Sequence, residues 1–449
     1  MQSKPRSSPR VLTPPAGTLG RVRDRFALDH DYHGLRWHLQ LPREGEPVAR
    51  PLLITLGLPT FGLAFAISVL TTYGPVVLIR LTDSPSQVGV LIGAEGAFAL
   101  VVPVLAGALS DRLPGSPATR RLPFILAGAP LAVAGLVLLP FSGTVGLAAA
   151  GVLAFFVGYY LYYPPYRALY VDLLPRSSYA RMQANQAVLR GVGLGAALLT
   201  GGLLLSAWRP LPFLIAAAAL IATTAALAPV FRLESDCSSR VLPYETVSLR
   251  KLLLEGGPLR RVILANTCWE FSFAGLKSFI VLYLVRGLGR SPSLASAAIA
   301  VVAVAVVVGA PLAGRLADRH GIVPVLRVAT LLYGVGLMVG TFFHTLTPLL
   351  IGLPFVALAG AVVMTLPQAL VFSLSPLGSA GAAAGLVDFT RGIGVVLGPV
   401  VVGAAIEAFQ GEFASTHGYA VLWPVIAIPV LLSFFILRTL PADAASEAA

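Results

Sequence analysis

The chain has 449 residues, 56% of them hydrophobic and only 12% charged, about half the charged share of an ordinary soluble domain. Its apolar residues fall in long uninterrupted runs, which excludes a set of soluble two-layer cores and makes lipid the main solvent. The formal charge of +12 does not mark a nucleic-acid binder, because the basic residues lie between the hydrophobic runs rather than along a polar stripe.

In chain order, residues 1–50 are polar and rich in Pro and Arg. They lack the apolar core of a signal peptide and are expected to form a flexible tail. About 20 apolar residues cross the hydrocarbon, and six such spans follow at 51–78, 86–108, 122–141, 146–170, 184–206 and 210–231. A polar connector, 232–260, separates them from six more at 261–284, 293–316, 323–343, 346–373, 380–405 and 419–438, and residues 439–449 form a second tail. The prediction is therefore an all-α membrane protein of twelve transmembrane helices, with one six-helix bundle over 51–231 and another over 261–438. Cys237 lies in the connector and Cys268 within a span, so no disulfide framework or metal cluster is indicated and no cofactor is expected.

Lys and Arg mark the cytoplasmic side of a membrane protein. With both termini on that side, 24 of the 32 Lys and Arg fall in cytoplasmic segments. Four lie opposite (Arg80, Arg209, Arg286, Arg290) and four within spans (Arg167, Arg190, Lys277, Arg391). A miscounted helix would scramble that asymmetry. The expectation is a multi-pass protein of the cell membrane with cytoplasmic termini.

Span two ends in Gly107-Ala-Leu-Ser-Asp111-Arg112 and span eight in Gly314-Arg-Leu-Ala-Asp318-Arg319, the two Asp residues 207 positions apart and at equivalent places in their halves. Two six-helix halves related by an axis along the membrane normal are a transporter plan. The repeated Gly-x-Leu-x-Asp-Arg loop resembles the signature of the major facilitator superfamily, which implies the major facilitator fold of two pseudo-symmetric bundles. It also implies a role for the loops. Gly107 and Gly314 allow close helix approach, and Asp111 and Asp318, followed by Arg112 and Arg319, would sit beside the N-terminus of span eleven and of span five when the cytoplasmic side is shut. That makes a state-dependent latch; the plainer alternative is a tight polar turn.

Two further stretches narrow the resemblance. Arg120-Arg121-Leu-Pro123-Phe124-Ile125 follows the first loop, and Arg167-Ala-Leu-Tyr-Val-Asp172-Leu173 ends span four, with Gln183-Ala-Asn185 leading into span five. Both are similar to runs in the sucrose/proton symporter group (glycoside-pentoside-hexuronide-like) and its bacterial relatives. The resemblance implies a sugar-binding role for Arg167. The plant members also carry an Asp earlier on span four, where this chain has Phe155-Phe-Val-Gly-Tyr-Tyr160 and no carboxylate.

Ionisable residues within spans are costly and point to function. Glu270 and Lys277 are two turns apart on one face of span seven, beside Asn266 and Trp269. They form the first candidate for substrate binding and proton coupling, against the alternative of an ion pair that fixes span seven. Glu95 on span two is the other group suited to titration, or a structural carboxylate. Asp388 and Arg391 are neighbours on one helical face and are expected chiefly to neutralise each other. Span four carries five tyrosines between Tyr159 and Tyr166, Tyr163 among them; they spread around the helix, as an anchoring belt or as aromatic faces for a sugar. Tyr73 and Gln368 add polar groups at plausible depth.

The function expected is secondary active transport of a small polar solute, with a sugar in view, by alternating access and proton-coupled symport. No Gly-x-x-x-x-Gly-Lys-Ser/Thr loop occurs, so no ATP motor is visible. A proton-coupled exporter of amphipathic compounds is the alternative, weakened because span five lacks the Pro of the exporter pattern. A non-transporting receptor is the other class, and no enzymatic motif is present. The partners expected are the solute, protons and the bilayer, without nucleic acid; oligomeric state is left open.

Overall fold

The computed structural model describes residues 50–114, 117–174, 179–231, 257–343, 345–374 and 380–441. The first tail to residue 49, most of the connector with Cys237, and residues 442–449 lie outside them. Among the described residues, twelve helices are long and apolar enough to cross a membrane. The first six are α1 (Arg50–Thr82), α2 (Pro85–Arg112), α3 (Pro117–Leu138), α4 (Val145–Leu173), α5 (Tyr179–Ala207) and α6 (Leu211–Ala225). The second six are α7 (Gly257–Leu282), α8 (Pro292–His320), α9 (Ile322–Gly340), α10 (Leu346–Ser373), α11 (Ala380–Ala408) and α12 (Leu422–Arg438). A π turn, Tyr283–Gly287, finishes α7.

The starts of α2 and α8 are fixed by caps. Ser84 accepts a hydrogen bond from the Gln87 amide ahead of Pro85, and Ser291 accepts one from the Leu294 amide ahead of Pro292. Each is a Ser N-cap followed by Pro at the first helical position, where no amide partner is lost. The two caps are separated by the same interval as Asp111 and Asp318, so the internal repeat embraces whole helices. Prolines inside α1, α3, α4 and α10 are tolerated because neighbouring helices enclose the freed carbonyls.

With lipid as apolar as the side chains, helices associate through close packing, and small residues set the contacts. A Cβ at Gly128 or Gly135 of α3 would strike the α4 backbone at Gly158 or Gly151. Between the two sets of six, α2 packs on α11, α5 on α8 and α1 on α7. Gly89, Gly93 and Gly96 of α2 meet the backbone at Pro399, Val396 and Gly392 of α11, and Gly202 of α5 meets Pro292 and Ser296 of α8.

Among the described residues these contacts gather at one end of the helices. Gly107, farther along the same face of α2, has nothing within 4 Å, and neither do Gly191 and Gly195 on the α5 face that carries Gly202. On α8, Ser296 is 1% exposed while Val307, three turns on along its face, is 73% exposed. The two sets of helices are therefore joined at the end where α2 and α8 begin and parted at the end where the Asp111 and Asp318 loops lie.

Candidate functional site: the cleft between the two helix sets

At an axial rise of about 1.5 Å per residue, Glu95, Tyr160, Arg190, Glu270 and Arg391 lie roughly 15–25 Å from the parted ends of their helices, near mid-span. The fold brings them together. Arg391 Nε lies 3.9 Å from Glu270 Oε2, linking α11 to α7. Tyr160 Oη lies 3.5 Å from Glu95 Oε1, linking α4 to α2 at the outer limit of a hydrogen bond. Lys277 has Glu95, Arg391 and Glu270 as its charged neighbours. The Arg391 side chain is 61% accessible although residues from α2, α4 and α7 surround it. Its free surface therefore faces the cleft and not lipid.

Close packing fixes this arrangement. Gly394 and Gly398 of α11 press on the α7 backbone at Glu270 and Phe271, and Gly392 holds Leu100 of α2. Arg391 is thereby presented to α7 one turn from Asp388, for which no ion pair is found among the described residues. The partner of Arg391 is Glu270 rather than the Asp388 that shares its helical face. Asn266 Nδ2 donates to Thr390 Oγ1 at 2.9 Å, a buried α7–α11 strut behind the charges. Trp269 is buried beside it.

The tyrosines of α4 divide by helical position. Tyr162, Tyr166 and Tyr170 are fully buried and bond inward: Tyr166 Oη donates to the Leu56 carbonyl at 2.6 Å and meets Thr60 Oγ1 at 2.9 Å. Tyr159, Tyr160 and Tyr163 form the other group, with Tyr159 stacked on Tyr163 at 5.6 Å between ring centroids. Arg190 Nη2 donates to Tyr163 Oη at 3.0 Å, and the Arg167 guanidinium lies 5.6 Å from the same ring centroid. Arg167 and Gln368 are exposed, nearer the parted end than the central charges.

Tyr73 stands elsewhere. Its ring fills the space over Gly201, and its hydroxyl donates to the Leu198 carbonyl at 2.9 Å and meets Ser296 Oγ at 2.7 Å. It braces the joined end across the two sets. Glu407 does the same from α11, accepting from Ser84 Oγ at 2.6 Å and from the Ser86 amide at 3.1 Å. A carboxylate at the N-terminus of α2 also meets the positive end of its helix dipole. No sequence motif announced Glu407 or its partner Ser84. Beside it a cavity of about 220 Å³ opens between Asp83, Arg286, His417 and Tyr419.

At the parted end the first Asp loop is tied within its own set. Arg121 reaches Asp111 at 2.6 Å and Asp172 at 3.2 Å, and Arg120 reaches Asp172 at 3.2 Å. The Arg-Arg run on α3 and the Asp at the end of α4, far apart in sequence, thus form one charged network with Asp111. Arg112 is exposed beside it. The second loop differs: Gly314 has open space, Asp318 and Arg319 are exposed, and Arg327 donates to the Leu437 carbonyl at 3.0 Å.

A sequence model described as Major Facilitator Superfamily matches residues 262–449. No curated protein sequence matches the chain. Among solved structures, a bacterial homologue of the human lysosomal transporter Spinster, inward-facing and occupied, gives a TM-score of 0.72 at 16% identity, over 89% of this chain and 97% of that one. The nucleoside transporter NupG gives 0.66 at 16% identity, over 87% and 98%. A POT family transporter in complex with 5-aminolevulinic acid gives 0.62 at 14% identity, over 87% and 98%. The protein is an all-helical, multi-pass membrane protein. Its twelve helices have the major facilitator fold.

Proposed function

We propose that this protein is a secondary active transporter of the major facilitator superfamily, moving a small polar solute by alternating access in symport with protons. The observation that carries the reading is the cleft itself. Among the described residues the two helix sets meet at one end, and the space between them holds charged and aromatic side chains from both sets at mid-span. Lipid would not tolerate those charges without water or a ligand.

The excess of Lys and Arg puts the parted end at the cytoplasm and the termini with it, so the arrangement described is the inward-open one of a cell-membrane protein. In this reading the Asp111 latch is released and the carboxylate rests on Arg121. Tyr73 and Glu407 serve as the complementary clamp at the outer end. Proton coupling falls to Glu270, whose carboxylate has Arg391 as a competitor for its charge. The Arg-Arg and Arg167-to-Leu173 runs, similar to those of the sucrose/proton symporter group, make a sugar or a related polar solute the first class to test.

Uptake of radiolabelled solutes into proteoliposomes with an imposed pH gradient tests the proposal. Accumulation with the gradient supports symport, efflux with it supports an exporter, and the absence of both would leave a receptor. The two clamps should act in opposite directions. Glu407→Gln is expected to increase labelling of a cysteine at Ile79, now 3% exposed, by a reagent applied from outside. Asp111→Asn is expected to lower both transport and that labelling while leaving expression unchanged. Unaltered labelling in the first variant, or unaltered transport in the second, would remove the corresponding clamp from the mechanism.

A further inference from the structure

The central charges do not balance evenly along the cleft. Glu270 faces Arg391, and Glu95 has Lys277 among its charged neighbours. On the wall made by α4 and α5, Arg167 and Arg190 converge on one tyrosine instead. Arg190 donates to the Tyr163 hydroxyl and Arg167 lies at its ring, and neither has a carboxylate within ion-pair distance among the described residues. Both residues are exposed.

A tyrosine supplies neither guanidinium with a counter-charge. Each presents a planar fork of donors matched to a carboxylate or phosphate, and a cation within a span is costly unless water or an anion solvates it. Tyr163 is itself occupied, stacked on Tyr159 with the Arg167 guanidinium over its ring, so it positions the two cations. Resting on the transport reading above, we infer that the transported solute is an organic anion, its carboxylate or phosphate held between Arg167 and Arg190. The two arginines set specificity: a neutral solute of the same shape would leave both without a counter-charge.

The test uses the full-length protein in liposomes, with Cys237 and Cys268 replaced by Ser and a single cysteine at Ala187. That residue is exposed and one turn from Arg190 on α5. An anionic thiol reagent is expected to label it at least about tenfold faster than a cationic one of equal size, a ratio equivalent to about 1.4 kcal/mol. Arg167→Gln with Arg190→Gln should erase the preference. Solute pairs that differ only in the charged group then separate the two head groups: glucose against glucuronate and glucose 6-phosphate, glycerol against glycerate and glycerol 3-phosphate. A charged member is expected to slow labelling at concentrations where its neutral partner does not. Equal labelling by both reagents, or equal effect of neutral and charged members, or no effect of any charged member, would overturn the anion site while leaving the open cleft intact. A cysteine unreactive to both reagents would instead contradict the open cleft, and the inference would fall with it.

Discussion

Glu270→Gln is expected to abolish accumulation of solute against its gradient while leaving equilibration across the membrane in place. One unit of pH difference is worth about 1.4 kcal/mol, so a one-proton symporter can hold about a tenfold solute ratio across it. In the variant that ratio should fall to about one. The reason lies in the pair on which Glu270 sits. Arg391 approaches its carboxylate at 3.9 Å from a different helix, so a proton on Glu270 removes the attraction between α7 and α11 and leaves Arg391 to the cleft. Glutamine keeps the shape and cannot take part in that exchange. Glu95→Gln is the comparison: its hydrogen-bond partner among the described residues is the Tyr160 hydroxyl, and it should retain a ratio above one. Concentrative uptake surviving in Glu270→Gln and lost in Glu95→Gln would move the coupling site to α2.

The second large effect is on stability. Asp172→Ala should destabilise the protein by about 3 kcal/mol, the lower end of the cost of leaving a buried charge without its partner. Arg121 has only 6% of its side chain exposed, and with Asp172 gone its remaining acidic contact is Asp111, which is 62% exposed and screened by water. Arg120 loses its acidic partner at the same time. Asp318→Ala, at the equivalent loop of the second set, should change stability by no more than about 0.5 kcal/mol, since that side chain is at the surface. Denaturant titration of the two purified variants measures both. Equal losses would mean that the network around Arg121 contributes nothing beyond a surface loop.

The number, order and approximate limits of the helices were legible in the sequence because lipid imposes one simple requirement: about 20 apolar residues per crossing, with charge at the ends. Most helices proved longer than the apolar runs; α2 and α8 continue beyond theirs through the repeated Asp-Arg pairs, Asp111-Arg112 and Asp318-Arg319. The side chains of the cleft were legible by type and less so by partner. Span position singled out Glu95, Glu270, Lys277 and Arg391, but helical spacing favoured Asp388 as the partner of Arg391. The Gly394 and Gly398 contacts that bring α7 close, and Glu270 with it, belong to the packing of two helices more than 100 residues apart.

The tyrosines teach the same lesson. Their spacing on α4 showed that some must face inward, but which ones depends on where α1 and α6 pack. Tyr162, Tyr166 and Tyr170 turn toward those helices, leaving Tyr163 for the two arginines. Tyr73 was singled out for its depth and its polar group, and depth says nothing about direction; it points to α5 and α8 at the joined end. Glu407 offered no signal at all, because a carboxylate at the end of a span is ordinary until the helix start 323 residues earlier is brought beside it.

The most direct measurement is the distance between spin labels at Gly191 on α5 and Val307 on α8, facing positions near mid-span where the two sets have parted, in protein reconstituted in lipid. Rocking of the two helix sets should give a long-distance population in Asp111→Asn and a short one in Glu407→Gln. Labels at Ser206 and Ser293, near the joined end, should change in the opposite sense. A single distance at each end, the same in both variants, would contradict the account.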